Sequence, residues 1–403
     1  MPLRALYSFP HGLGKPGIGT TALHQVRGLV SQGVDVTLYC TSLHGNVEGV
    51  NEVVETMRLA SVRVPHRTLG MARAWRYHDW RASRALGAGK FDIVHTWPAG
   101  CLRTLAVSRT TEAVSFREAP SAHTAEAYDA CTRESLRIGL ELPAKHSHRY
   151  DGVALKRELR EFESADFILV PSEYAFRTFV DRGFPPERLA RHSYGYDPSL
   201  FFPRVTGADS EDGLRAVFIG RGDLGKGLHY ALDAWVQSGA GDRGRLTILG
   251  ELSPPYARML SQQLSHPSVS VAGFVGDVGR YLRDADILLL PSITEGSALV
   301  TYEAQACGCV LLVSDATGAD CIPDVTAFVH RVGDVVTLTE QLRTVANDCQ
   351  RLQMMRAATL EHARHLTWAE AGRKLAAAYA SSILRGTEAR DLASLATGRG
   401  DSR

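Results

Sequence analysis

Two successive sets of short apolar runs, each alternating with helix-length amphipathic stretches, predict an α/β protein of two domains with parallel sheets. Three observations carry this. The chain has 403 residues, more than one ordinary domain, and 44% hydrophobic with 22% charged residues is a globular composition. The apolar runs are continuous in Val, Ile, Leu and Phe, as strands covered by helices on both faces require. Between the two sets, residues 203–212 are polar, acidic and Gly/Ser-containing after the pair Phe201 and Phe202, which is the composition of a linker.

In chain order, strands are predicted at 5–9, 34–40, 91–97, 113–116 and 167–170, then at 216–219, 246–249, 269–272, 287–290 and 310–313. Two βαβ sets of this size make two Rossmann-like domains, 1–205 and 206–368. A helical period continues beyond Trp368, over 369–386, and the polar tail 387–403 is expected to be flexible.

Charge narrows the function. Lys+Arg number 45 against 44 Asp+Glu, a net charge of +1, which excludes a bulk nucleic-acid binder. The halves differ: residues 1–205 hold 26 basic and 21 acidic side chains, residues 206–403 hold 19 and 23. No run reaches the ~18 apolar residues of a membrane span, and residues 1–10 lack the apolar core of a signal peptide. Seven cysteines without a CxxC pair fit a reduced, cytoplasmic protein.

Gly12, Gly14 and Gly17 satisfy GxGxxG after a strand, yet Pro16 interrupts the place where a dinucleotide helix begins, and no Lys-Ser/Thr follows Gly19. What remains is a turn through Gly17 and Gly19 into a helix. It either offers free N–H groups to an oxyanion or is a tight strand-to-helix connection. The second half carries more. Strand 216–219 runs into Gly220 to Gly227, with Arg221 and Lys226 on a Gly-rich turn at a helix start, which suits a diphosphate.

After strand 287–290 comes a segment with Glu295 and Glu303. Its helix is expected to open near Ser297 and stop at Gly308. Glu295 then lies at the C-terminal edge of the sheet, where open α/β sheets bind ligands. Glu303 falls two turns on, roughly 12 Å away at ~1.5 Å per residue. Glycosidase carboxylates sit about 5 to 9.5 Å apart, so the spacing suits two grips on one elongated ligand instead.

Glu295 and Glu303 form an E-x7-E element that resembles the retaining GT-B glycosyltransferases of family 4, with Arg221 and Lys226 placed as that family places its diphosphate-binding pair. The resemblance runs through Asp92-Ile93-Val94-His95, Ala165-Asp166, Pro171-Ser172, Gly195-Tyr196-Asp197, Phe202-Pro203, Ala285-Asp286, Pro291-Ser292, Thr317-Gly318 with Asp320, and Trp368. It implies a GT-B fold, two Rossmann-like domains facing across a cleft with the last helix returning to the first. The first domain would hold the acceptor and the second the nucleotide-sugar donor. Implied catalytic residues are His123, Glu295, Arg221 and Lys226. Implied donor contacts are Gly17, Gly19, Arg221, Lys226, Glu295, the N–H groups of Ser297, Ala298 and Leu299, and Glu303 on the ribose. No cofactor or metal is implied. Two positions depart from the family: its Phe-Gly is Ser297-Ala298 here, and its late Asn-Gly turn is Ala327-Phe328.

Several residues keep two readings. His95 and Glu118 are candidates for acceptor binding, but His95 also suits packing on Trp97, and Glu118 also suits pairing with Arg117. His146 and His148 lack ligand-spaced partners and read as surface residues. Residues 63–90 hold seven basic side chains and one acid, Asp79, with Trp75, Tyr77 and Trp80 interleaved. Such a segment lies on an anionic membrane at its inner face, holds an acidic acceptor, or is a solvated helix face. The rival functions are a nucleotide-sugar epimerase of the same architecture and a non-catalytic sugar-nucleotide-binding module.

Overall fold

The computed structural model describes residues 2–59, 62–64, 70–144, 146–204 and 213–397, the last thirteen by backbone alone. The expected 205/206 boundary, Arg67 and the end of the tail, 398–403, lie outside the described residues.

The first domain is a seven-stranded parallel sheet of β1 (Arg4–Leu13), β2 (Asp35–Leu43), β3 (Glu52–Glu55), β6 (Ile93–Thr96), β7 (Val114–Glu118), β8 (Phe167–Val170) and β9 (Leu189–Arg191), in the order β3-β2-β1-β6-β7-β8-β9. A small antiparallel pair, β4 (Arg58–Leu59) and β5 (Val62–Arg63), stands apart from it. The second domain is a six-stranded parallel sheet of β10 (Arg215–Ile219), β11 (Arg245–Leu249), β12 (Val269–Gly273), β13 (Ile287–Leu290), β14 (Val310–Ser314) and β15 (Ala327–His330), in the order β12-β11-β10-β13-β14-β15. Both orders reverse beside their first strand, at β1/β6 and β10/β13, which opens a crevice at the C-terminal strand ends. Ala327 and Phe328, expected in a turn, are instead the start of edge strand β15, paired with Leu311 and Leu312.

Three aspartates of the family pattern do architectural work at the opposite, N-terminal edge. Asp92, Asp166 and Asp286 each accept a hydrogen bond from the main-chain N–H of a residue at the start of the neighbouring strand, Arg4 at 2.8 Å, Ser115 at 2.8 Å and Arg215 at 2.9 Å. A carboxylate there satisfies a donor that the ladder leaves unpaired.

The last helix, Trp368–Thr397, runs eleven residues beyond the expected boundary at 386 and lies across the first domain's helix Ile18–Ser31. Two glycines let the backbones touch: a Cβ on Gly28 would lie 2.7 Å from Gly372 Cα. Trp368 stacks on His24 with ring centroids 4.7 Å apart, and Tyr379 enters the first domain's core. Gly195-Tyr196 meets the segment that leads into this helix: Tyr196 bridges to Thr367, and a Cβ on Gly195 would lie 2.5 Å from the Thr367 carbonyl carbon. Among the described residues no helix is long and apolar enough to cross a membrane.

Candidate active site

The donor loop leaves β10 at the sheet's reversal point. Leu224–Lys226 form a 3-10 turn, and Gly227 closes it at φ 68°, where a Cβ would also lie 2.0 Å from the Pro291 carbonyl oxygen. Only glycine satisfies both demands. The loop is held to the segment after β13 by a hydrogen bond from Ile293 N to Gly225 O at 2.9 Å. This brings together two residues that the sequence separates by 69 positions: Lys226 Nζ forms a close ion pair with Glu295 Oε1. Arg221 stands exposed at the mouth of the same loop, without an ion pair among the described residues.

The following helix is Leu299–Ala306, with Ala298 and not Ser297 at its N-cap. The Ser297 hydroxyl is diverted to Tyr302 Oη at 2.8 Å and to Gly318 O at 3.1 Å. Of the three amides expected to face the donor, that of Ala298 is already donated to Thr317 O at 3.3 Å. Glu303 sits on this helix, partly buried, and forms no ion pair among the described residues. Burial pushes its carboxyl up to about 7. A carboxyl so perturbed at a ligand-binding sheet edge is a binding-site signature.

The first domain meets this site directly. Ala122 N donates to Glu295 O at 3.2 Å, Ser172 Oγ to Gly296 O at 2.5 Å, and Tyr174 Oη reaches Thr294 Oγ1 at 3.4 Å. The C-terminal edges of the two sheets therefore face one another across a cleft. Gly17, at φ 88°, is the N-cap of helix Ile18–Ser31 at the same edge of the first sheet, and Gly19 follows in its first turn, where a Cβ would lie 2.5 Å from Gly12 O.

Three sequence expectations change. His123 flanks the cross-cleft contact, but its ring is turned inward among Phe162, Phe179 and Phe184, with centroids 5.9, 5.1 and 5.6 Å away. Its Nδ1 accepts from Ala125 N at 3.2 Å and caps the helix Thr124–Ile138. Burial lowers the ring to about 4, so it is neutral at pH 7. His95 and Glu118 are fully buried, and of the two readings of His95 the packing one holds, its ring stacked on Trp97 with centroids 6.2 Å apart. Glu118 lies 3.4 Å from His95 Nε2 and 3.1 Å from His192 Nε2, and accepts from Tyr194 Oη at 2.9 Å. Burial alone would raise the Glu118 carboxyl, yet the two imidazoles hold it well below the usual carboxylate range. His95 Nδ1 meets Tyr379 Oη at 2.6 Å, so this network fastens the returning helix. Arg117 pairs not with the Glu118 carboxylate but with Glu158 and Glu161, each at 2.8 Å. Finally, His146 and His148 line the cleft beside Asp223 and Gly225 of the donor loop.

Two facing parallel-sheet domains, a Gly-rich cationic loop and a two-glutamate element at one sheet-reversal point define a nucleotide-sugar-dependent glycosyltransferase of GT-B architecture. Family models agree along most of the chain. Residues 16–195 match the glycosyl transferase 4-like domain and residues 213–348 match glycosyl transferases group 1. The chain belongs to the family 4 GT-B glycosyltransferases. It is 24% identical to a D-inositol 3-phosphate glycosyltransferase of Jonesia denitrificans, over 91% of this chain and 93% of that one. In fold it is similar to sucrose-phosphate synthase of Thermosynechococcus elongatus, with TM-score 0.69 and 16% identity, covering 96% of this chain and 100% of that one. It is similar also to Anabaena Alr3699/HepE, solved with UDP and glucose, with TM-score 0.63 and 16% identity, covering 94% and 100%.

Proposed function

We propose that this chain transfers a sugar from a nucleoside-diphosphate donor with retention of configuration and without a metal ion, to an acceptor held by its first domain. The Lys226–Glu295 pair carries the reading. On donor binding, Lys226 turns to the diphosphate and frees Glu295 to accept hydrogen bonds from the sugar's hydroxyls. Arg221 joins Lys226 on the leaving group, and Glu303 accepts from the ribose. Charge developing on the departing diphosphate is met by these two cations, which supports metal independence. Glu295 is then held by the sugar's hydroxyls and does not serve as a nucleophile, so the acceptor attacks on the face the diphosphate leaves, aligned by the cleft. The UDP and glucose in the Anabaena protein make UDP-sugars the first donors to try.

The test is a thermal-shift screen of UDP-, GDP- and ADP-sugars, followed by turnover with acceptors that include a polyol phosphate, with chelator and without. Retention is read from the anomeric coupling in the product's NMR spectrum. Isomerised sugar released without acceptor would identify an epimerase, and donor binding with no turnover a binding module. Activity lost to the chelator and restored by manganese would refute metal independence.

Glu303 gives a pH signature. A carboxyl near 7 must lose its proton before it accepts both ribose hydroxyls, so nucleotide affinity is expected to fall as pH drops below 7, by at most about tenfold per unit. Glu303→Gln should bind weakly at every pH. Calorimetric titration across this range checks it, and a flat wild-type profile would remove Glu303 from the ribose. For folding the sign is opposite: the raised carboxyl stabilises the folded chain below its ordinary range, and that contribution is lost as pH rises through 7.

The acceptor side is anionic or interface-bound in this reading. Helix Met71–Ala88 buries Ala74, His78, Asp79 and Ala82 and exposes Arg73, Arg76, Tyr77, Trp80 and Arg84. Arg84 lies over the Trp80 ring at 5.6 Å. Each such cation is worth about 1 kcal/mol at an anionic membrane. Salt-sensitive cosedimentation with phosphatidylserine vesicles is expected, and it should be lost when Arg73, Arg76 and Arg84 become Ser. Equal, negligible pelleting of both proteins would leave this face as solvated surface.

A further inference from the structure

The first domain reaches across the cleft. Its helix Thr124–Ile138 and the turn beyond dock on the second domain, with Ala130, Cys131 and Leu142 in the same packed cluster as Leu224 and Leu228. Glu134 pins the docking, with Oε1 2.8 Å from His229 Nε2 and 2.6 Å from Arg137 Nη2. The turn is thereby fixed relative to the donor loop, and it carries His146 and His148. His146 Nε2 is 3.9 Å from Asp223 Oδ2 with the side chain only 6% exposed, and a Cβ on Gly225 would lie 3.5 Å from His148 Nδ1.

Hydrogen bonds decide which ring nitrogens carry the protons. His146 Nδ1 accepts from His148 N at 3.1 Å, so in the neutral ring the hydrogen is on Nε2. That nitrogen is buried and has no hydrogen-bond partner among the described residues, Asp223 being beyond bonding distance. Buried donors are normally satisfied; unlike the equally unpartnered His123 Nε2 among its phenylalanines, this one faces the charged donor loop, where a ligand's acceptor oxygen fits. His148 lies half-buried beside it, with the ring centroids 5.7 Å apart. Its Nδ1 is 3.5 Å from Cys131 Sγ, and burial pushes that thiol up to about 12, so the thiol keeps its hydrogen; with that S–H donated to Nδ1, the ring presents Nε2–H. Arg221 and Asp223 face His146; Asp223, Lys226, Glu295 and Cys131 face His148. Burial lowers both rings, which are therefore neutral donors at pH 7.

We propose that His146 and His148 donate hydrogen bonds from the first domain to the diphosphate of the bound donor, so that the leaving group is held from both sides of the cleft. The inference rests on the nucleoside-diphosphate donor proposed above. Calorimetry on the full chain with inorganic pyrophosphate and with UDP, GDP and ADP tests it. His146→Ala and His148→Ala should each weaken pyrophosphate and the preferred nucleotide about tenfold, while the matching nucleoside binds as before. His146→Gln, whose amide N–H replaces Nε2–H, should recover much of the loss. In the wild type, pyrophosphate should shift the Nε2 resonances of both rings in nitrogen NMR, a readout that needs no variant to fold. Unchanged pyrophosphate affinity in both Ala variants while Arg221→Ala loses it, or ring resonances that do not move, overturns the inference and leaves the proposed function standing. A wild-type chain that binds neither pyrophosphate nor any nucleoside diphosphate overturns both.

Discussion

Lys226→Ala is expected to lower turnover at saturating donor by about 10²–10³-fold, the range that loss of one preorganised oxyanion donor produces. The effect is placed on kcat because the turn that carries the cation is fixed before the donor arrives. Gly227 locks the turn that carries it, and Ile293 N ties that turn to the Glu295 segment. Once it has turned to the bound diphosphate, Lys226 needs no further reorganisation as charge develops there, which makes electrostatic stabilisation effective. Arg221 is exposed and unpaired among the described residues, so it loses more side-chain freedom on binding, and Arg221→Ala is expected to cost less than Lys226→Ala. Removing Lys226 also strips Glu295 of its partner. Lys226→Arg keeps the charge and separates the two effects: donor affinity should be retained while turnover stays low, because the longer, planar head misplaces it. Turnover within about threefold of wild type in both Ala variants would take this loop out of the mechanism.

The convergence of Lys226 and Glu295 is legible in the sequence because each follows a short, continuously apolar run, and β10 and β13 are neighbours at the reversal of a doubly wound sheet. Edge strands are less legible. β3 is exposed or half-exposed throughout, so its four residues make no apolar run, and β15 is a four-residue edge strand whose Ala-Phe start occupies a family turn position. The start of helix Leu299–Ala306 was masked by a distant competitor. Ser297 is a good N-cap by type, yet Tyr302 and Gly318 claim its hydroxyl.

Polar side chains carry the least local information about what they face. His95 lies near the end of β6 and Glu118 ends β7, as ligand-binding residues do, and what removes them from the site is distant in sequence: Tyr379, 284 residues from His95 on a helix that crosses back, and His192 and Tyr194 beside Glu118. The same blindness hid His146 and His148. Their neighbours, Asp223 and Gly225, belong to the other domain, and no spacing within residues 140–151 signals them. Residue type and local period fix which groups are available. Which of them face a ligand depends on how the two sheets are brought edge to edge.

That apposition is itself testable at one residue. Gly296 carries the cross-cleft carbonyl bonded by Ser172, and a Cβ added there would lie 2.2 Å from the Pro120 carbonyl oxygen and 2.6 Å from Ser121 Cα. Both obstacles are backbone, and on the remaining side Gly318 is close enough that its own Cβ would lie 2.4 Å from Gly296 O. A methyl group cannot be absorbed by rotating a side chain, so Gly296→Ala is expected to push the 120–122 loop off the Glu295 segment and lengthen the Ala122–Glu295 bond. Each domain keeps its own core, and far-ultraviolet circular dichroism should be unchanged. Arg221, Lys226, Glu295 and Glu303 belong to the second domain, and the turn with His146 and His148 is docked separately through Glu134 and His229, so nucleotide affinity should change little. Turnover should fall by about 10²-fold, because an ångström of misplacement between donor and acceptor costs about that much. Stopped-flow measurement of single turnovers beside equilibrium nucleotide binding separates the two quantities. Gly296→Ala with wild-type turnover would show that the contact between residues 120–122 and Glu295 is not part of the reactive arrangement, and that the domains close on the acceptor in some other register.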